Sequence, residues 1–325
     1  SWEGVDKYYT QNELGFYNLS NTQSFRTFVS YRILSENKFL RSMSSWLSIR
    51  ESFRFDNFFR SGGGWRFNND FQTQNLTNFQ LVLDYTGENK DFYEPRTANR
   101  YIVEPSNYGF EFGFNTNNNN TFSYGIEFEN TNYGNKQFDE DTFSNRLRIN
   151  AKYIASNKLT FNARTQSEKK GDDIGFLQRK NSDIHFGKRL VKSIENTIDI
   201  TYNIDNYKYL SLRFRNFWST AKYDEVLYKL LDNGFRELVS YSLLSDDPNT
   251  NFNLWNLDLK FDWWFSPGST ITVQYKNQIF NRDNKAGLDY YKSINNLFDM
   301  PIEHQLSFRI NYLIDYNKLK RDDKS

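Results

Sequence analysis

The chain has 325 residues, with 41 Lys and Arg against 40 Asp and Glu, and its mean hydropathy is −0.81. Because the charges balance, no net basic field favours a nucleic-acid partner. The absence of Cys excludes a disulfide framework, a thiolate zinc site and a Cys nucleophile, and no segment has the roughly 18 consecutive apolar residues of a membrane helix.

Aromatic residues are the outlier in the composition. The chain holds 31 Phe, 22 Tyr and 7 Trp, which make up 18% of its residues. Membrane barrels use such rings in their lipid-facing wall and interfacial girdles. Their mean hydropathy stays low because every second residue of each strand faces a polar interior. The composition is therefore compatible with a transmembrane barrel.

Apolar and polar side chains alternate in segments throughout the chain. Alternation indicates a β-strand with two unlike faces, since successive side chains leave the pleat on opposite sides. In the last segment, Leu306 and Phe308 alternate with Ser307 and Arg309. A soluble sandwich or lipocalin would bury the apolar face, whereas an outer-membrane barrel would turn it toward lipid. The clearest alternating segments cover residues 79–85, 108–114, 122–129, 146–153, 197–204, 210–215, 257–263, 271–276 and 304–317.

The connections between these segments favour the membrane barrel. Short turns rich in Asn, Gly, Pro or Ser lie at 35–38, 74–78, 115–120, 155–158, 204–208 and 266–269. Longer connections lie near 56–64, 86–102, 131–143, 171–180, 219–250 and 281–303. This alternation is typical of up-and-down barrels with short periplasmic turns and long extracellular loops. A sandwich would not favour one side for its long loops, and a lipocalin-like barrel would seldom use so many long strands.

The pattern predicts an all-β fold, a transmembrane up-and-down antiparallel β-barrel of about fourteen strands. The first strand is expected near Tyr8–Tyr17, the barrel at residues 1–316, and a charged periplasmic tail at 317–325. Strands at 158–178 and 183–204 exceed the about 9–11 residues that cross a bilayer, so we expect them to project beyond it. The architecture predicts a bacterial outer-membrane location with a periplasmic C-terminus.

Two of the long connections carry helical signals. In DEVLYKLLDNG, Asp224 is a candidate N-cap and Gly234 a candidate C-terminal stop. The weaker candidate is YYKSINNLFD at 290–299, which Pro301 follows. Such helices would pack over the barrel mouth or, alternatively, form a docking surface for a partner. The partner-binding candidates of the first helix are Val226, Leu227, Leu230 and Leu231.

Many charged residues occupy the polar positions of the alternating segments. Both signs occur at high density, which predicts cross-strand ion pairs that brace or narrow a lumen, since unpaired charges in a confined space are costly. The alternative is a selective pore whose rings of charge choose the solute. The lumen-lining candidates are Arg26, Arg32, Arg50, Arg54, Glu111, Glu127, Glu129, Arg146, Arg148, Lys152, Arg164, Asp199, Arg213, Arg215, Asp258, Lys260, Asp262, Lys276 and Arg309.

The sequence offers no constellation that predicts catalysis. His185 and His304 are the only histidines, and nothing in the sequence puts either beside a particular Ser. Gly62–Gly64 follows a strand rather than opening a phosphate-binding helix. We therefore predict no enzyme activity, no metal site and no cofactor.

Four segments resemble a known family. They are ELGFYN (13–18), FLRS (39–42), WWFSPGSTITVQY (263–275) and NLFDMP (296–301). Together they resemble the C-terminal barrel of a Bacteroidota outer-membrane family of unassigned function, and the hairpin at 263–275 is the strongest match. The resemblance covers essentially the whole chain and implies no particular activity. Members commonly carry a domain similar to family-9 carbohydrate-binding modules ahead of the barrel. Because glycan binding would belong to that domain, the resemblance assigns no glycan-binding residue to the barrel.

Three functions follow as hypotheses. The first is a non-enzymatic barrel that sits in outer-membrane lipid as a subunit or scaffold of an envelope complex and contacts other outer-membrane or periplasmic proteins. The second is a porin-like passive or gated channel for small or oligosaccharide-like solutes, so that a glycan solute would be the partner. The third, an outer-membrane hydrolase, has the least support.

Overall fold

The computed structural model describes residues 1–9, 20–34, 38–134, 137–138 and 142–314. These residues form strands joined by turns and loops, with one α-helix, α1 (Tyr290–Phe298), and a 3-10 turn at Tyr241–Leu243. The strands are β1 (Trp2–Val5), β2 (Thr22–Leu34), β3 (Leu40–Arg54), β4 (Arg60–Thr73), β5 (Asn78–Thr86), β6 (Asn89–Asp91), β7 (Ile102–Glu104), β8 (Asn107–Asn115), β9 (Phe122–Tyr133), β10 (Phe143–Ile154), β11 (Leu159–Lys180), β12 (Asp183–Asp205), β13 (Lys208–Leu230), β14 (Arg236–Val239), β15 (Thr250–Ser266), β16 (Ser269–Asp283) and β17 (Ile302–Asn311). Among the described residues, no helix is both long enough and apolar enough to cross a membrane. The predicted all-β class is confirmed.

One large antiparallel sheet contains nearly all the strands. Its path is β1-β2-β3-β4-β5-β8-β9-β10-β11-β12-β13-β15-β16-β17, in which sequence neighbours pair except where β6, β7 and β14 intervene. β14 pairs with β13 off this path, and β6 pairs with β7 in a separate small sheet. Within the described residues the path has the predicted up-and-down order and fourteen strands, although its first strand is not the predicted one. Within the described residues β1 and β17 are its two end strands, and no backbone pairing joins them.

Two predicted segments lie wholly or partly outside the described residues. Of the first strand expected at Tyr8–Tyr17, only Tyr8 and Tyr9 are described, and both follow the end of β1. The first strand of the path is β1 instead, which pairs with the start of β2 from Trp2↔Phe25 to Val5↔Thr22. The tail at 317–325 also lies outside the described residues.

The connections differ between the two ends of the sheet. At one end, β4–β5, β10–β11, β12–β13 and β15–β16 are joined by tight turns. At the other end, long connections join β5 to β8, β13 to β15, and β16 to β17. The long connection predicted at 171–180 is wrong, because β11 continues to Lys180. It pairs with β12 through a turn at Asn181 and Ser182, whose φ angles of 50° and 71° suit a tight hairpin.

The helix predicted at 224–234 is also wrong. Val226, Leu227 and Leu230 lie in β13, and Leu231 follows its end. Here β13 pairs with β12 on one side and with β14 on the other. Val226, Tyr228 and Leu230 also fit a period of two, so pairing along both edges outweighs the local helical signals.

A small hydrophobic core stabilises the end of β13 that replaces the predicted helix. Tyr228 and Leu230 are buried in a cluster with Ile102, Ile184 and Phe186. These residues come from β7, β12 and β13, so the cluster ties the β6–β7 region to the ends of the longest strands. Leu227 and Leu230 of the predicted helix are thus buried within the chain, and Val226 packs against the cluster.

The second predicted helix is confirmed as α1. Asp289 is its N-cap, and its carboxylate accepts a hydrogen bond from the backbone N–H of Lys292 at 2.9 Å. That hydrogen bond holds the pKa of Asp289 below its ordinary value. α1 packs against β15 and β16 through Ser293 and Leu297, which are both buried.

The sheet is strongly curved at its long-connection end. Two adjacent residues in the β6–β7 region reach distant strands: Asn99 Oδ1 accepts from Arg54 of β3, and Arg100 donates to the backbone carbonyl oxygens of Leu230 and Leu231 at the end of β13. β3 and β13 are eight strand-to-strand steps apart on the path, which is about 38 Å in a flat sheet. The side chains that make these bonds are much shorter than that, so the sheet must bend to bring the two strands together.

Candidate functional site

The strand register collects the predicted charged residues on one face of the sheet. Arg146 is opposite Glu129 and Arg148 is opposite Glu127 across β9 and β10. Arg213 is opposite Asp199 on β12 and opposite Asp258 on β15. Because directly opposite residues share a face, the strand register puts every lumen-lining candidate from Arg26 to Arg309 on the same face of the sheet. We call this surface the polar face. Whether it encloses a lumen remains a prediction.

Ion pairs connect different strands across the polar face. Most of their side chains are partly exposed, so each pair contributes only modestly to stability, while together they fix the strand register. The cross-strand pairs include Arg66–Glu111 at 2.9 Å, Arg146–Glu129 at 2.7 Å, Arg148–Glu127 at 2.5 Å, Arg213–Asp199 at 2.5 Å, Arg215–Glu195 at 3.1 Å and Lys276–Asp258 at 3.8 Å.

Two members of this network were missed at the sequence level. Arg66 lies on β4, where Asn69 interrupts the apolar positions that Trp65 and Phe67 begin, so the alternation is weak. Glu195 lies on β12 beyond the segment in which alternation is clear. Cross-strand register, which the sequence pattern does not specify between distant segments, is what reveals them.

An open groove of about 690 Å³ lies on the polar face near β17. Arg213, Arg215, Asp258 and Lys276 line it, together with Glu303 of β17. Arg213 and Arg215 remain largely exposed although each has an acidic partner. The groove therefore offers charged donors and acceptors to a polar molecule.

The connection from β5 to β8, residues 87–106, crosses the long-connection end, and we call it the cap. The cap is bonded to β3 and β13 through Asn99 and Arg100. It is also bonded to β11, because Glu94 accepts a hydrogen bond from the backbone N–H of Phe176 at 2.9 Å. The amide of Val103 donates to the carbonyl oxygen of Gly234 at 2.9 Å. The cap is thus anchored at several points around the curved sheet.

The opposite face of the sheet is apolar and exposed. Large side chains along it remain open to the surroundings on strands from β2 to β17. On β17 the exposed fraction is 74% for Leu306, 64% for Phe308 and 54% for Ile310. We call this surface the apolar face. It is far more extensive than the isolated apolar patches found on water-soluble monomers.

α1 covers one part of the apolar face at the long-connection end. Asn251 and Asn253 share a face of β15 with Leu257, and both are fully buried beneath the helix. Asn253 donates to Ser293 Oγ at 3.2 Å, and Ser293 Oγ donates to Asn251 Oδ1 at 3.1 Å. The ring of Phe298 lies 5.0 Å from that of Trp255, where the apolar stripe of β15 begins.

The two histidines lie far apart in the fold. His185 is buried near the tip of β12, and burial, the largest effect, holds its pKa below the ordinary value. His304 lies on β17, where its Nδ1 is 2.8 Å from the hydroxyl of Tyr275. Among the described residues, neither histidine is hydrogen-bonded to a serine hydroxyl.

The comparison with known proteins identifies a family. No curated protein matches the chain significantly. Residues 2–322, nearly the whole chain, match the family described as a domain of unknown function, DUF5916. The match agrees with the unassigned function that the resemblance of the four segments implied. The chain therefore belongs to the DUF5916 family.

Proposed function

We propose that the chain is a non-enzymatic outer-membrane β-barrel that serves as a subunit or scaffold of an envelope complex. The apolar face would contact lipid and the polar face would line the interior. The observation that carries the proposal is the exposed apolar face, which runs across the sheet from β2 to β17. In water this surface would be strongly unfavourable at about 25 cal/mol per Å², whereas in lipid it has a matching solvent.

The curvature of the sheet supports the barrel. A sheet that spans a bilayer cannot leave edges in the hydrocarbon, because unpaired backbone groups find no partner there. The cap brings β3 and β13 close together although they are eight steps apart on the path. Such bending is what rolling fourteen strands toward closure requires.

The cap and the ion pairs favour a scaffold over an open channel. The cap crosses the long-connection end and is bonded to β3, β11 and β13. Beneath it, cross-strand pairs such as Arg146–Glu129 occupy the polar face. Exposed apolar side chains at the same end, among them Phe58 and Leu238, offer contacts to a protein partner.

The second candidate function is a passive or gated channel. The observation that favours it is the 690 Å³ groove on the polar face, with Arg213 and Arg215 largely exposed along it. Rings of charged side chains of this kind select solutes in pores. An oligosaccharide-like solute could use the mixed donors and acceptors of the groove.

Conductance of the purified barrel in a planar bilayer tests the two functions. The scaffold proposal expects no steady openings, because the cap spans the mouth. Steady openings whose ion selectivity shifts when Arg213 and Arg215 are both changed to Ser would favour the channel instead. A stoichiometric partner that co-purifies after mild detergent extraction is expected for the scaffold, and a barrel that is both silent and monomeric would contradict it.

A further inference from the structure

Three lysines gather on the apolar face near the long-connection end. They are Lys169 of β11, Lys192 of β12 and Lys222 of β13, and all three are exposed. The register between these strands runs without a break through Ile198 and Phe214, so the lysines share a face with the apolar side chains. We call these three residues the lysine patch.

The arrangement of the lysine patch is unfavourable without an anion. Lys169 and Lys192 are direct cross-strand partners, and like charges opposite each other destabilise a sheet. Nearby lysines have acidic partners, as in Lys170–Glu168 and Lys188–Asp224. Among the described residues, no carboxylate lies at ion-pair distance from Lys169, Lys192 or Lys222. Lys169 makes a cation–π contact, in which its Nζ lies 5.3 Å from the ring centroid of Phe143.

The position of the patch identifies the anion. On β12 this face is apolar from Ile204 to Ile194 except at Asn196, which is bonded to Tyr290 of α1; the stretch has the length of the about 9–11 residues that cross a bilayer. Lys192 is two residues beyond Ile194 on the same face. At that level a lipid-facing surface leaves the hydrocarbon and meets the headgroups, whose phosphates are the available anions.

From this geometry we propose that the lysine patch binds the phosphate of an anionic lipid headgroup at the long-connection border of the membrane. The three ammonium groups come from adjacent strands, so they can surround one phosphate, and the anion removes the repulsion between Lys169 and Lys192. The proposal rests on the proposed membrane position of the apolar face. It adds a defined lipid site to a surface that would otherwise contact lipid without preference.

The test measures the lipid preference of the inserted protein. The full chain is reconstituted into vesicles of phosphatidylcholine, with or without phosphatidylglycerol, and quenching of Trp fluorescence by brominated lipids gives the relative affinity for the two headgroups. A triple variant, Lys169→Gln, Lys192→Gln and Lys222→Gln, is expected to insert normally but to lose the preference for phosphatidylglycerol. Since one lysine beside an anionic surface contributes about fivefold, we expect a loss of at least about fivefold.

A matched control removes the same charge elsewhere. Lys7, Lys180 and Lys285 are also exposed and lie in turns or at a hairpin tip at the same end, so changing these three to Gln should leave the lipid preference intact. Equal losses in both triple variants would overturn the site, because they would reflect net charge alone. A triple variant of the patch that keeps the full preference would overturn it as well.

Two further measurements separate the possible causes. Lys169→Glu would pair with Lys192, so we expect a higher melting temperature in neutral detergent together with a weaker preference for phosphatidylglycerol. An unchanged or lower melting temperature would contradict the repulsion on which the site is argued. If inorganic phosphate binds the wild-type chain in neutral vesicles as tightly as the lipid does, the patch is a site for a soluble anion and the lipid assignment is wrong.

Failure of the membrane proposal would be visible separately. A wild-type chain that does not insert into either kind of vesicle would overturn both the membrane position and the lipid site. A chain that inserts equally into both vesicles with no headgroup preference would overturn only the lysine patch. The two results are distinguished by flotation of the vesicles before any fluorescence is measured.

Discussion

At the residue scale, buried amides lie where α1 covers the apolar face. Asn253 occupies a position of β15 that continues the apolar stripe, yet it is fully buried and bonded to Asn216 and Ser293. Tyr290 of α1 extends this network by donating from its hydroxyl to Asn216 Oδ1 at 2.8 Å. A helix seated on buried amides is held in one orientation, because each amide needs its own partner.

Changing Asn253 to Ala should therefore loosen α1. The substitution removes one hydrogen bond from Asn216 and one from Ser293, and leaving buried polar groups short of a partner costs about 1–3 kcal/mol. Unfolding in detergent would measure this cost, with Asn256→Ala on the polar face of the same strand as the control. A variant as stable as the Asn256→Ala control would contradict the role of the amide network.

At the scale of elements, the cap and the β13–β14 hairpin depend on each other. Gly234 lies in the turn of this hairpin with a φ of 83°, a conformation that glycine adopts without strain. A Cβ atom at this position would collide with the ring of Tyr101 in the cap. The carbonyl oxygen of Gly234 also accepts the hydrogen bond from Val103, so one residue shapes the turn and anchors the cap.

We expect Gly234→Ala to detach the cap from the hairpin. The positive φ alone costs about 1–3 kcal/mol for a residue with a side chain, and displacement of Tyr101 adds to it. Hydrogen exchange at the amide of Val103 should become faster in the variant. Gly287→Ala is the control, since a Cβ atom there meets nothing within 4 Å; similar exchange in both variants would contradict the coupling.

At the scale of the whole molecule, the two faces of one sheet differ in polarity. The polar face is held together by cross-strand ion pairs such as Arg148–Glu127. The apolar face leaves side chains such as Phe308 exposed, and the part of the chain that the structure describes puts no second layer over most of it. In the proposed barrel, the apolar face contacts the lipid bilayer and the polar face lines the interior.

A matched pair on β17 tests which face meets lipid. Phe308→Lys puts a charge on the apolar face and should reduce the free energy of unfolding in vesicles by about 2–4 kcal/mol if the site lies near the bilayer centre. Ser307→Lys puts the same charge on the polar face and should have little effect. Vesicle insertion followed by heat-dependent gel mobility gives the comparison. Equal effects of the two substitutions would contradict the assignment of the faces.

The sequence pattern predicted local features more reliably than distant contacts. The period of two determined the strands, because it describes side-chain directions within a single segment. The helix predicted at 290–299, with Pro301 after it, forms as α1, since signals that end a helix act within a turn. The same kind of local signal at Asp224 failed, because β12 and β14 pair with both edges of β13 there and because Tyr228 and Leu230 enter a core that includes Ile102.

By itself, the sequence determined the all-β class, the order of the strands, most of the tight turns and the division of side chains between two faces. These features depend on neighbours along the chain, so they are written in its alternation and turn residues. Only the tertiary structure decided that Arg66 and Glu195 join the ion pairs, that the cap links β3 with β13, and that Lys169 and Lys192 lie opposite each other. Those contacts depend on register and curvature, which arise when segments distant in sequence pair, and no local pattern encodes them.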